Sequence, residues 1–130
     1  MKDFNILLDS SSWLSYFLIG DKKIAELVDS GEFLLFSSVL SIYGVKRKLF
    51  AEKKTPGDIE KALDFMKSNS TIICLDIKIC EKAAEDSSKL GFHAIDSLIY
   101  RSALENNAKI VTFDSDFKDM KDVIYLEKLQ

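Results

Sequence analysis

Proline occurs once and glycine five times in the 130 residues, which excludes a collagen-like or loop-dominated chain. The two cysteines, Cys74 and Cys80, are too few for a disulfide scaffold, and no second cysteine pair or histidine cluster of zinc-finger type accompanies them. Free cysteines are usually interior, so both are expected to be buried thiols. Histidine also occurs once, as His93, and no motif pairs it with a nucleophile. It reads as a structural or surface residue, and Ser-His-Asp and Cys-His catalysis lack a basis. No apolar run approaches the ~20 residues that cross a bilayer. The first run, Ile6-Leu7-Leu8, is interrupted by Asp9 too early for the core of a signal peptide. The chain is therefore expected in the cytoplasm, a reducing compartment, with no membrane partner. An excess of base is missing too: 18 Lys and Arg face 21 Asp and Glu, a net charge of -3. That excludes a broadly basic nucleic-acid binder acting by bulk electrostatics, but not one that holds nucleic acid by a local patch.

What is present is enough apolar surface for a core. Hydrophobic residues make up 47% of the chain and aromatic ones 11%, and the length fits a single domain over 1–130. Short apolar runs alternate with helical periodicities, the pattern of a parallel α/β sheet. The strands expected are Ile6–Leu8, Phe33–Phe36, Thr71–Leu75, Lys109–Phe113 and Val123–Leu126. Between them, Ser10-Ser11-Ser12 can cap a helix carrying Trp13, Leu14, Phe17 and Leu18. A second helix runs from near Asp21 to Gly31, and a third from Ser38 turns Val39, Ile42, Val45 and Leu49 toward the core. Thr55-Pro56-Gly57-Asp58 is a helix start, with Thr as N-cap and Pro in the first turn. Asp76 to about Leu90 is another amphipathic helix stopped by Gly91, and Ile95, Leu98, Ile99 and Ala103 mark one more.

In open parallel sheets, ligands bind at the carboxyl ends of strands, so acids placed there carry the functional argument. Asp9 follows the first strand, Asp114 and Asp116 follow the fourth, and Asp96 opens the helix after Gly91. Each has a plain structural reading as N-cap, first-turn charge or turn residue. Together they can converge at one sheet edge, where mutual repulsion calls for a cation. Mg²⁺ or Mn²⁺ suits such oxygen ligands, and one or two ions there can activate water and hold a phosphodiester. With the four acids set aside from the 21, 17 acids face 18 bases, so the remainder of the chain is not acidic.

Two blocks resemble the PIN-domain ribonucleases, among them the VapC toxins of prokaryotic toxin–antitoxin pairs. Ile6-Leu7-Leu8-Asp9-Ser10-Ser11 is similar to the family's opening strand and first acid. His93 to Ile99, then Ala103-Leu104-Glu105, then Ile110 to Phe117 resemble its D-A-L-I, A-L-E and V-T-x-D-x-D-F pattern in order and spacing. The resemblance implies a three-layer α/β/α domain with a central parallel sheet and a metal-dependent endoribonuclease site. It makes Asp9, Asp96 and Asp114 the catalytic, metal-binding acids and Asp116 an additional ligand, with Ser11 and Thr112 in support. It also implies an RNA substrate and, for a toxin, a small antitoxin protein. One position departs from the pattern: Gly44 stands where the family has a Glu on the helix after the second strand. The alternative reading is thus a PIN-like fold kept as an RNA- or protein-binding module with weakened or no catalysis.

Other folds with clustered acids fit less well. A phospho-receiver needs a pair of acids after strand one, which Asp9-Ser10-Ser11 lacks, and an EF-hand starting at Asp114 has Asp119 and Tyr125 where Gly and Glu belong. Lys46, Arg47 and Lys48 are the candidate RNA phosphate contacts, otherwise a solvated helix face. Trp13, Tyr16 and Phe17 are candidates either for the core or for a homodimer or antitoxin contact.

Overall fold

The computed structural model describes residues 4–127; Met1 to Asp3, read above for a leader, and 128–130 lie outside them. The chain runs β1 (Phe4–Leu8), α1 (Ser10–Leu14) with a π-helical turn (Ser15–Ile19), α2 (Lys22–Asp29), β2 (Phe33–Ser38), α3 (Val39–Ala51) and α4 (Pro56–Asn69). It continues as β3 (Thr71–Ile73), α5 (Ile77–Leu90), α6 (Ala94–Glu105), β4 (Ala108–Thr112), a 3₁₀ turn (Ser115–Phe117) and β5 (Val123–Tyr125). The five strands lie in the order β3-β2-β1-β4-β5, and every ladder among them is parallel.

Alternation along the strands sorts the apolar residues into two cores, one on each face of the sheet. Ile6 and Leu8 of β1, Leu35 of β2 and Val111 of β4 join Trp13, Ile24, Val45, Leu49, Ile59, Leu63 and Met66 from α1 to α4. Leu7, Phe36 and Ile110, the intervening strand residues, join Ile79, Ile99, Tyr100 and Ala103 from α5 and α6. The result is the expected three-layer α/β/α arrangement. Across the second layer Arg101 on α6 donates twice to Asp86 on α5, through Nε at 2.8 Å and Nη2 at 2.7 Å.

Local signals place most helix ends. Asp21, Thr55 and Asp76 accept hydrogen bonds from first-turn N–H groups of α2, α4 and α5. Gly91 ends α5 at φ 73°, a left-handed conformation that costs glycine little. The cap of α1 is Asp9, as its plain structural reading had it, and not the Ser10–Ser12 run: Asp9 accepts from the Ser12 N–H at 3.0 Å.

Several burial expectations are corrected. Cys74 and Cys80 are both exposed. Cys80 lies on the outer side of α5, whose inward stripe is Ile79 and Ala83, and Cys74 follows the last residue of the short edge strand β3. Val39, expected inside, is 37% exposed at the start of α3, while Val45 and Leu49 are buried as expected. Trp13 serves the core: it is fully buried, stacks on Phe17 at 5.6 Å between centroids, and donates from Nε1 to Ser37 Oγ at 2.8 Å. Tyr16 and Phe17 are half-buried around it with Phe65. Among the described residues no helix is long and apolar enough to cross a membrane.

Candidate metal centre

The chain passes from β1 to β2 on one side of the sheet, and β4 pairs with β1 on the other. The carboxyl ends of β1 and β4 therefore flank a topological switch point, where connections lead away in both directions and leave a crevice. Leu8 pairs with Val111, so the residues that follow, Asp9 and the Thr112-Phe113-Asp114 run, emerge side by side. The α6 helix begins close by and contributes Asp96 from its first turn.

Asp9 is almost wholly buried, at 5% exposure, and is held by three donors. Ser11 Oγ donates to Oδ1 at 2.7 Å, the Ser12 N–H donates to the same oxygen, and Thr112 Oγ1 donates to Oδ2 at 2.5 Å. The two hydroxyls are fixed in turn: Ser11 Oγ accepts from the Phe113 N–H at 3.0 Å, and Thr112 Oγ1 accepts from the Asp114 N–H at 2.9 Å. Burial pushes the Asp9 carboxyl up, and these hydrogen bonds oppose the rise. Ser11 and Thr112 are thus hydrogen-bond donors to Asp9.

Asp96, Asp114 and Asp116 come together: one carboxylate oxygen from each lies within 4.8 Å of the others. Asp114 also caps the 3₁₀ turn by accepting from the Asp116 N–H at 2.9 Å, which sets the two acids' relative position. The Asp96 carboxyl is pushed up to about 6, first by burial and then by the charges of Asp114 and Asp116, with His93 pulling it down and Asp9 adding a smaller push upward. Asp9 is not in this triad. It lines, with Asp96 and Asp114, a cleft of ≈ 380 Å³ whose opposite wall is α3. Of the three basic residues singled out on α3, Arg47 and Lys48 line the cleft, whereas Lys46 is exposed and does not.

Three features of this region escape a reading of spacing alone. His93, the N-terminal cap position of α6, is exposed and lines a smaller neighbouring pocket with Asp96 and Asp116. Tyr43 and Ile95, both exposed, form part of the cleft rim. Gly44 lines the cleft where α3 crosses α1, and a Cβ there would stand 2.7 Å from Ser10 Oγ and 3.3 Å from Ser10 Cβ. A glycine in a helix interior costs ~1 kcal/mol relative to alanine, and close approach of Ser10 is what this one accommodates. The glycine itself was the available signal.

A parallel α/β/α sheet with carboxylates gathered at its switch point defines the class: a fold of the kind that builds oxygen-ligand sites at strand ends. The PIN domain family profile matches residues 6–123, and the chain belongs to the PIN domain family. Solved structures share the fold at low identity. A toxin–antitoxin complex from Klebsiella pneumoniae superposes with a TM-score of 0.79 at 16% identity, covering 95% of this chain and 99% of that one. VapBC2 from Rickettsia felis, bound to a DNA fragment from its promoter, gives 0.76 at 19%, covering 95% and 98%. The Mycobacterium tuberculosis VapC20, a toxin that cleaves the sarcin–ricin loop, gives 0.73 at 13%, covering 95% and 99%. No curated protein matches the sequence.

Proposed function

We propose that this chain is a divalent-metal-dependent endoribonuclease that hydrolyses RNA phosphodiester bonds, acting as the toxin of a toxin–antitoxin pair. The observation that carries the reading is the convergence of Asp96, Asp114 and Asp116 beside the buried Asp9. Three carboxylates within 4.8 Å and an Asp96 proton affinity raised by burial and then by its neighbours are what a hard cation with oxygen ligands would relieve, so the donor set fits Mg²⁺ or Mn²⁺. Asp96, Asp114 and Asp116 would hold the ion, with Asp9 lining the same cleft. Bound there, Mg²⁺ or Mn²⁺ supplies a lowered pKa for water and a positive charge for the phosphodiester.

The rest is the work of the chain's own groups. Ser11 and Thr112 donate to Asp9, which opposes the effect of its burial and fixes its orientation. Arg47 and Lys48 face the cleft as phosphate contacts; Lys46 adds charge outside it. The Klebsiella and Rickettsia structures are toxin–antitoxin assemblies, which supports a small antitoxin protein as partner here. A cytoplasmic homodimer completes the reading.

The test is cleavage of single-stranded and structured RNA by the pure protein with Mg²⁺ or Mn²⁺, expected in the wild type and abolished in Asp96→Asn. Full activity in Asp96→Asn, or none in the wild type with either metal, would overturn it. Gly44 favours a second reading, a binding module with weakened or lost catalysis, because it leaves the cleft one carboxylate short of the pattern it resembles. That reading predicts RNA or protein binding without turnover in the same assay.

A further inference from the structure

The rim of the cleft has features that holding a metal does not use. Tyr43 on α3 is 69% exposed and Ile95 on α6 is 52% exposed, and both line the cleft that contains Asp9, Asp96 and Asp114. Single exposed apolar side chains are ordinary, but two of them flanking a cluster of carboxylates are not explained by packing. Arg47 follows Tyr43 by four residues, so the two are neighbours on one face of α3, with Cβ atoms about 5–6 Å apart. Lys48 is engaged by Glu52 at 3.1 Å, whereas Arg47 has no ion-pair partner among the described residues. Gly44, between Tyr43 and Arg47 in sequence, lines the same space without a side chain, and the cleft volume falls within the ~300–1,000 Å³ of ligand pockets.

We infer that Tyr43 and Arg47 form a nucleotide subsite, in which the Tyr43 ring stacks an unpaired base and the Arg47 guanidinium takes the adjoining phosphate. The inference deepens the nuclease reading and rests on it for the role of the acids. An acidic cleft repels a polyanion, and an unpaired arginine at its rim offsets that repulsion where the strand enters. Stacking on an aromatic side chain requires a base free of its pair, so the subsite selects single-stranded or looped RNA over duplex and is tolerant of sequence. Ile95 on the opposite rim gives the strand a second apolar contact.

The test measures binding without turnover. A short unstructured RNA oligonucleotide with a fluorescent end label is titrated by anisotropy with the intact Asp96→Asn chain, alone and combined with Tyr43→Ala, Tyr43→Phe or Arg47→Met. Stacking is worth ~1–3 kcal/mol per base, so Tyr43→Ala is expected to weaken binding by about 5- to 150-fold while Tyr43→Phe retains it. Arg47→Met is expected to weaken binding and reduce the slope of log affinity against log salt by about one. A duplex of the same sequence is expected to bind less tightly and to ignore Tyr43→Ala. Equal binding by the wild-type-rim and Tyr43→Ala proteins, or equal dependence on Tyr43 for single strand and duplex, would overturn the subsite. So would a Tyr43→Ala change that dissociates a dimer and leaves RNA binding untouched. Tyr43-independent binding together with cleavage by the wild type refutes the subsite alone, and Tyr43-dependent binding without any wild-type cleavage refutes the nuclease reading alone.

Discussion

Without metal, Asp96 is a cost to the fold, and replacing it by asparagine is expected to stabilise the protein. Its carboxyl stands at about 6 against an ordinary 3.8, pushed up by burial and by Asp114 and Asp116. A difference of about two units corresponds to about 3 kcal/mol between its two protonation states. About half of the group faces solvent, which halves the figure, and the favourable field of the α6 N-terminus returns about 0.5 kcal/mol, leaving about 1 kcal/mol. Because the folded pKa lies above the unfolded one, the folded state takes up the proton first as pH falls. The penalty is therefore complete above pH ~6 and is relieved between about 6 and 4. At about 2.1 cal/mol/K per residue, Asp96→Asn is expected to raise the metal-free Tm by about 4 °C at pH 7.5 and by little at pH 4. Mn²⁺ is expected to raise the wild-type Tm and to raise that of Asp96→Asn much less, since binding to the folded state is what shifts the melt. Reversible thermal melts followed by circular dichroism, with chelator or with Mn²⁺, measure all four conditions. A lower metal-free Tm for the variant at pH 7.5, or the same Mn²⁺-induced rise in both proteins, would refute the electrostatic account.

Two further outcomes follow from the site's supports. Gly44→Ala, normally worth ~1 kcal/mol in a helix interior, is expected to gain little, because its Cβ meets Ser10 Oγ at 2.7 Å; in a Ser10→Ala background the gain is expected to reappear, and additive effects in urea denaturation would contradict the close approach. Thr112→Val removes the donor to Asp9 Oδ2 and is expected to cost about 1–3 kcal/mol at pH 8. Losing that hydrogen bond raises the Asp9 carboxyl further, so the cost is expected to shrink as pH falls and the carboxyl is neutralised, and an equal cost at pH 8 and pH 5 would count against it.

The strands and helix starts were readable because their signals are local. Thr55-Pro56 and Asp76 mark their helices through hydrogen bonds to residues within a turn, and β1 and β4 are runs of apolar residues too short for helices. The acids were readable in placement, since strand ends in a parallel sheet share an edge, but their division into a triad and a buried partner was not. That division depends on Ser11 and Thr112, a hundred residues apart, closing on Asp9. Burial at the margins was also illegible. Val39 and Val45 stand six residues apart, about 120° around α3, so the two do not share a face, and Val39, the first residue of the helix, is 37% exposed. The general tendency of cysteine toward the interior was no guide to Cys80, which its own helix turns outward.

The pairing of β1 with β4 joins Asn5 to Ala108 and leaves the acidic triad dependent on residues near both ends of the described chain. Contacts so distant in sequence close late and slowly, after the loop between them has been ordered. No fragment that stops before Asp114 carries the triad, and a chain still being synthesised has β1, β2 and β3 in hand before it has any member of the triad. Assembly order thus sets when the site exists: its acids stand together only once nearly the whole fold is made.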